Sequence, residues 1–555
     1  MATGLITALV AIGVAQLVAG ITGPQGSPVV AVGGAAIDST PAPVKNFAIS
    51  TFGSHDKAVL VAGILVVLAV FAALIGVASL RRLAFGLAGL AVFTLIGMAA
   101  VLTRPDHSTV DVLPVLIGAA AGAFTMVRLV RAAEADQALT ASPAQPGPAG
   151  QLAGSTAPAP GVGDVPAPSL GDVPAAGGPP APGTSGVPSG PPSRATSQPQ
   201  PARRRFLITG LVAVGVAGAS TVIGQRLAGP SSAVSRARTT LRLPRPARPA
   251  APLPAGASLD IEGLSPFVTP NAVFYRVDTA IIVPEVDPAS WQLRIHGMVD
   301  REITFSFADL LRMPLIEHYI TLCCVSNPVA GPYIGNAKWL GASLASLLRR
   351  AGIRSGADQL LCTSVDGFTS GTPVQVVMDG RDALLAVAMN GTPLPVAHGF
   401  PARLVVPGLY GYVSACKWVT DINVTTFADA QAYWVPRGWS QRAPIKTESR
   451  IDVPNGSATL RAGRTQVAGV AWAQHKGIDA VEVRVDGEQW HQARLAAVPG
   501  IDTWRQWVWD WDATPGSHRI EARATDATGY TQTAVPVPPE PNGATGYPMV
   551  TVSVQ

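Results

Sequence analysis

TLCCVSNP at residues 321–328 and, about seventy residues further on, HGFPARLVVPGLYGYVSACKW at residues 398–418 decide how this chain is read. The first closes an apolar, strand-like run (HYITLC) and opens into a turn-rich loop, so Cys324 would sit where a strand gives way to loop. The second gathers His398, Arg403 and Lys417 among glycines. A thiolate is a soft ligand for a metal, and a guanidinium fork beside an ammonium holds an anion. Together these residues predict a soft metal carried by an anionic cofactor, hence a redox centre. A cysteine in such a place, taken singly, is more often a small buried hydrophobe. The second segment reverses that reading.

The chain has 555 residues, 48% of them apolar and 14% charged, which is too long for one ordinary domain and too apolar for a wholly soluble one. A net charge of +5 is small for this length, and no basic stripe interleaved with aromatics occurs, so no nucleic-acid partner is expected. Cys323, Cys324, Cys362 and Cys416 are too few and too clustered for a disulfide scaffold. Cys362 and Cys416 read as core thiols, with a disulfide open to them if the fold brings them together.

Residues 4–22, 58–80, 83–102 and 110–130 are each apolar over about twenty residues, enough to cross a bilayer as helices. None has a histidine in its interior that could ligate haem. Arg81 and Arg82 after the second span, with Arg128 and Arg131 at the end of the fourth, put those ends in the cytoplasm. From 133 to 202 the chain is rich in Pro, Gly, Ala and Ser and cannot bury enough surface to fold. ARRRFLITGLVAVGVAGASTVIG follows, with Arg203 and Arg204 before Phe206 and Leu207, either a twin-arginine-like export signal or a positive-inside anchor for a fifth helix. Arg226, Arg236, Arg238, Arg242, Arg245 and Arg248 lie just beyond it and oppose charge-biased insertion. A receptor-read signal that moves a folded domain resolves that conflict.

From about 258 the composition is that of a globular domain. WQLRIHG (291–297) alternates as a strand, FADLLRMP (307–314) reads as a short helix, and GASLASLLRRAG carries Leu344, Leu347 and Leu348 at helical spacing before Gly352. After PIKTESRIDVP short strands and turns take over, with Asp486 and Gly487 suited to a hairpin. Residues 456–555 therefore read as a β-sandwich of immunoglobulin type.

TLCCVSNP, NAKWLGASLASLL, LLCTSVDGF and LAVAMNGTPLPVAHGFPARLVVPGLYGYVSACKW, preceded by TPNAVFYRVDTA, resemble the sulfite oxidase family of molybdopterin enzymes in order and spacing. The resemblance covers about 258–555 and includes GVAWAQHKGIDAVEVRVDGEQW and DTWRQWVWDWDA, similar to the family's sandwich domain, often a dimerisation domain. It implies a molybdenum-molybdopterin cofactor with Cys324 as the metal ligand and a catalytic residue, and with Cys323 structural on the opposite face of its strand. It further implies Asn271, Tyr275, Arg276, Ser364, His398, Arg403 and Lys417 as cofactor-binding positions, Arg276 being catalytic as well. Asp366, Trp339 and Arg437 are weighed as pocket residues against turn, core and surface roles.

The expected fold is multidomain: a four-helix transmembrane bundle (1–132), a disordered linker (133–202), a twin-arginine-like signal with a fifth transmembrane helix (203–225) and a basic extracytoplasmic linker (226–257) lead into two globular units. These are an α+β molybdopterin domain (258–455) and the sandwich (456–555). The implied activity is oxygen-atom transfer on a small substrate by an enzyme of the cell membrane with its catalytic domain outside. Electrons would pass to a separate carrier, a quinone, a cytochrome or a membrane redox protein, and the sandwich could pair two copies as a homodimer. Family members that oxidise sulfite carry arginines shortly after the ligand cysteine, where Pro328 and Val329 stand here. That departure raises a sulfoxide reductase of the same fold as an alternative. A cofactor-free surface binding protein is the other, and it has no need of Cys324 with HGFPAR.

Overall fold

The computed structural model describes residues 1–23, 26–41, 44, 56–104, 109–141, 201–227, 232–456 and 458–555. Most of the expected linker, 142–200, lies outside the described residues, but its start does not: 133–141 continue a helix.

Among the described residues, five long apolar helices form the N-terminal part: α1 (Ala2–Thr22), α3 (Asp56–Arg81), α4 (Leu83–Leu102), α5 (Leu113–Ala141) and α6 (Pro201–Leu227). All five are long and apolar enough to cross a membrane by length and composition. Val66, Val67, Val70, Phe71 and Leu74 on α3 point outward and are exposed. Helix α1 is central, and glycines set its contacts. A Cβ on Gly4 would fall 1.8 Å from the Ala72 carbonyl oxygen of α3, and one on Gly13 2.6 Å from that of Ala217 on α6. Gly20 meets Gly224 in the same way, so α1 and α6 run parallel, pressed together along small residues.

The helix α2 (Pro28–Ser39) escapes sequence reading. Its twelve residues, PVVAVGGAAIDS, are too short for a span and too uniformly small and apolar for a periodic signal. It packs beside α3 and α4, and a Cβ on Gly33 would come 2.9 Å from Ile281 Cδ1 of the following domain. After α6 the helix α7 (Ser232–Thr240) ties the bundle to that domain. Arg238 donates from Nε to the Leu394 carbonyl at 2.8 Å and from Nη2 to that of Pro393 at 3.0 Å, and Val234 is buried in a cluster with Phe274 and Trp339.

The next unit mixes helix and strand. One sheet runs β2 (Ile303–Ser306), β1 (Gln292–Gly297), β10 (Val419–Thr425), β5 (Gln359–Ser364), β6 (Thr369–Pro373), with β1 and β10 parallel. The other runs β3 (Leu315–Cys323), β4 (Ile334–Ser343), β7 (Leu384–Met389), β8 (Thr392–Pro393), with β9 (Arg403–Val405) on β7. The expected helices form as α8 (Phe307–Arg312), opened by a Ser306/Asp309 capping box, and α9 (Leu344–Ala351), which buries Leu344, Leu347 and Leu348 and ends at Gly352 with φ 72°.

Beyond them two sheets stack across a shared core. Val467, Ala471, Trp507 and Trp511 of one face Val481, Val483, Ile520 and Val552 of the other. The first strand of this unit, β11 (Glu448–Val453), precedes the boundary expected at 456 and pairs with Gly463–Trp472. Asp486 and Gly487 both take positive φ, 54° and 78°, as the hairpin turn requires. The two units are fastened by Trp504 Nε1 donating to the Phe267 carbonyl at 2.8 Å and by a chain in which Asp502 accepts from His318 and His475 at 3.1 and 3.0 Å.

Candidate active site

Strand β3 pairs with β4 up to Cys323 opposite Ile334, and Cys324 is the first residue past it. Alternation then separates the two thiols. Cys323 is fully buried in the main core, whereas Cys324 lines a cavity of about 640 Å³. The Cys324 turn is pinned at both ends: its N–H donates to the Tyr333 carbonyl at 2.9 Å, its carbonyl accepts from Asn327 N–H at 3.1 Å, and Asn327 Oδ1 accepts from Tyr333 N–H at 2.8 Å. Burial raises the Cys324 thiol pKa, opposed by hydrogen bonds from Ser326 and the charge of Lys417.

Three further element ends reach the same cavity. A single 3₁₀ turn, Val396–His398, delivers His398, and Gly399 with φ 107° turns the chain toward β9. A Cβ on Gly399 would stand 3.0 Å from that of Arg403 and 3.2 Å from that of Lys417, so only glycine lets the three approach. Arg403, at the start of β9, lies 5.2 Å from the Trp339 ring centre and, among the described residues, donates only to backbone carbonyls, those of His398 (3.1 Å), Ala415 (3.3 Å) and Leu404 (3.4 Å). Lys417, between the short helix Gly411–Ser414 and β10, ion-pairs with Asp278 at 2.7 Å, and Asp278 also takes Arg276 at 3.4 Å. Burial lowers Arg403 to about 10 and Lys417 to about 8, the latter against the pull of Asp278. His398 falls to about 4 through burial and the neighbouring cations, so its ring is neutral near pH 7.

Tyr275 enters from the segment before β1. Gly335 on β4 leaves room for the Phe274 ring, which stacks on Tyr275 at 5.3 Å and meets His398 edge-on at 5.6 Å. Burial pushes the Tyr275 hydroxyl well above its ordinary pKa, so it stays a donor.

The fold thus brings Cys324, Tyr275, Arg276, Ser364, His398, Arg403 and Lys417 around one cavity. Asn271 is not in its wall: its amide donates to the Met389 carbonyl and Thr392, and its oxygen accepts from Asn390 at 2.8 Å. Asp366 lines the cavity, Trp339 lies beneath Arg403, and Arg437 stacks on Tyr433 at 3.7 Å. Cys362 and Cys416 are free and buried, so the disulfide left open to them does not form. Sequence reading missed Asp278, although it lies two residues after Arg276, and an aromatic wall from Phe368, Tyr412, Tyr433, Trp434 and Trp439. The segment QAYWVPRGW (431–439) carried the latter signal in its aromatic density.

The model of the oxidoreductase molybdopterin-binding domain matches residues 280–434. Sulfite oxidase of Gallus gallus is 31% identical over 296 residues, 45% of this chain and 63% of its own length. The uncharacterised oxidoreductase YuiH of Bacillus subtilis is 31% identical over 156 residues, 28% of this chain and 75% of its own. The chain belongs to the sulfite oxidase family of molybdopterin oxidoreductases. It spans 63% of the length of the Gallus gallus protein and 52% of the Mus musculus one. The sulfane dehydrogenase SoxCD of Paracoccus pantotrophus is 25% identical, with 50% of this chain and 76% of that chain covered and a TM-score of 0.44.

The cofactor of this family, molybdenum-molybdopterin, fits the residues present. Arg403 is 5% exposed and has no carboxylate partner among the described residues. A buried cation without a counter-ion is costly. An anion in the cavity removes that cost, and the Cys324 sulfur in the same wall is a soft donor.

Proposed function

We propose that this chain is a membrane-tethered, extracytoplasmic molybdopterin-dependent oxidoreductase that moves an oxygen atom to or from a small substrate. The uncompensated Arg403 guanidinium beside the Cys324 thiol carries the reading, because a surface binding module has no use for either. Cys324 would hold the metal through sulfur, and Arg403, Lys417, His398, Tyr275, Arg276 and Ser364 would grip the pterin and its phosphate, with the Asn271 backbone hydrogen-bonded to His398. When bound, the cofactor supplies the two-electron change and the oxygen exchange. The protein supplies the rest. Neutral His398 and protonated Tyr275 offer hydrogen bonds at fixed positions, Asp278 keeps Lys417 and Arg276 aimed, and the aromatic wall keeps bulk water out.

The five apolar helices support the tether. Arg81, Arg82, Arg128 and Arg131 favour a cytoplasmic side for their ends, and α2, in contact with Ile281, stands with the opposite ends. Arg203 and Arg204 support export of the folded domain through a twin-arginine signal. The C-terminal pair of sheets suits an immunoglobulin-type sandwich through which two copies could associate.

Arg276 is already paired with Asp278, and Phe368, Tyr433, Trp434 and Trp439 line the same cavity. This favours a neutral organic substrate over sulfite, and with it the sulfoxide-reducing direction as a second reading. Dye-coupled oxidation of sulfite measured against reduction of sulfoxides separates the two.

Metal and pterin analysis of the full chain, purified from a molybdenum-replete host, tests the proposal. About one molybdenum per chain is expected, following the single ligand thiol, and its absence would overturn the reading. Cys324→Ser should retain bound pterin and lose turnover, whereas full turnover would remove Cys324 from the metal.

A further inference from the structure

We infer that the cavity opens at the membrane surface and takes a quinone as the redox partner of the centre. This rests on the molybdopterin reading and deepens it. Cys324, His398, Arg403 and Lys417 line the cavity together with the aromatic Tyr412, Tyr433, Trp434 and Trp439. Its rim does not belong to the catalytic domain alone: Ile37 at the end of α2, Thr40, Val44, and Leu60 at the start of α3 complete it. These lie at the same ends of the bundle as Gly33, which touches Ile281 of the catalytic domain.

Beyond Leu60, α3 carries exposed apolar side chains. Val44 is 55% exposed, and Val59, Val66, Val67 and Val70 follow as exposed side chains on a helix apolar enough to lie in a bilayer. A quinone satisfies each part. Its planar ring packs against aromatic faces, its oxygens accept from hydroxyl and indole donors, and its isoprenoid tail lies along apolar helix surface. The reaction balances as X + H₂O + quinone → XO + quinol: the substrate loses two electrons and gains the oxygen of water, and the quinone gains two electrons and two protons. The same equation runs backwards for a reductase, with quinol as donor.

The full chain, purified with its cofactor, is irradiated with an azidoquinone, and the labelled peptides are mapped. Label is expected on Ile37, Thr40 or Val44, or in the peptide carrying Tyr433–Trp439, displaced by decylubiquinone and not by decanol. Ile37→Arg, which puts a charge in the rim, and Thr40→Trp, which narrows it, should each cut displaceable label at least about tenfold with molybdenum content unchanged. Molybdenum-loaded protein with no displaceable label there, with displacement by decanol as well, or with label unmoved in both variants would overturn the quinone site. Loss of molybdenum from the unaltered chain would instead strike the reading beneath it.

Discussion

Arg403 is the residue on which the site turns. Its guanidinium is buried among carbonyls and an indole face, so its charge is supported by dipoles alone until an anion arrives. Arg403→Gln should therefore lower bound pterin about a hundredfold, the loss of roughly 3 kcal/mol of charge-assisted hydrogen bonding in a desolvated site. Fluorescence of the pterin released from equal amounts of protein measures it, and Arg403→Lys, which keeps charge and loses the fork, should fall between. Glu448 presents the converse case. It is buried on β11 with Oε1 lacking a hydrogen-bond partner, and burial raises its carboxyl from 4.5 to about 8. Between those values the unfolded chain has released the proton and the folded chain holds it, so the contribution of this carboxyl to stability is fullest below pH 4.5 and declines as pH rises to about 8. Glu448→Gln should flatten that decline, melting above the unaltered chain at pH 8 by tryptophan fluorescence, with the difference vanishing near pH 4.5.

Among the elements, the turn at Gly399 does the most with the least. Gly399→Ala adds one methyl in a left-handed backbone between Arg403 and Lys417, a strain of about 1–3 kcal/mol that must be relieved by parting the two cations. Reduced pterin content with the β-rich C-terminal unit still melting normally is the expected result. Strand β3 was legible for an opposite reason: a two-residue period put Cys323 in the core and Cys324 at the cavity, and nothing distant had to be known. The long spans were legible from apolar length, and the cationic set from HGFPAR and CKW. Asp278 was not, because it meets Lys417 from 139 positions away, nor was the aromatic wall, which only the closing of Phe368 on the 431–439 segment creates. Asn271 shows the limit of matching a motif: the residue is present, but its side chain is taken up by Asn390, Met389 and Thr392. Helix α2 has neither length nor period, and contact with α3, α4 and Ile281 alone gives it a place.

At the scale of the molecule, a basic segment beyond α6 opposes simple insertion, while α6 ends close to a tightly packed domain. Changing Arg203 and Arg204 to Lys should strand that domain in the cytoplasm, read by protease added to intact cells. Unchanged cleavage from outside would assign the arginines to a plain anchor. The parallel seam between α1 and α6 adds a matter of timing. Gly13 and Gly20 precede the linker in the chain, and Ala217 and Gly224, which cover them, are made only after it. Until then the first helix of the bundle carries an unfilled glycine stripe. On the membrane-tethered reading, closure of the bundle reports that α6 has arrived, and a chain whose catalytic domain is held back keeps that stripe open to whatever degrades unassembled membrane proteins.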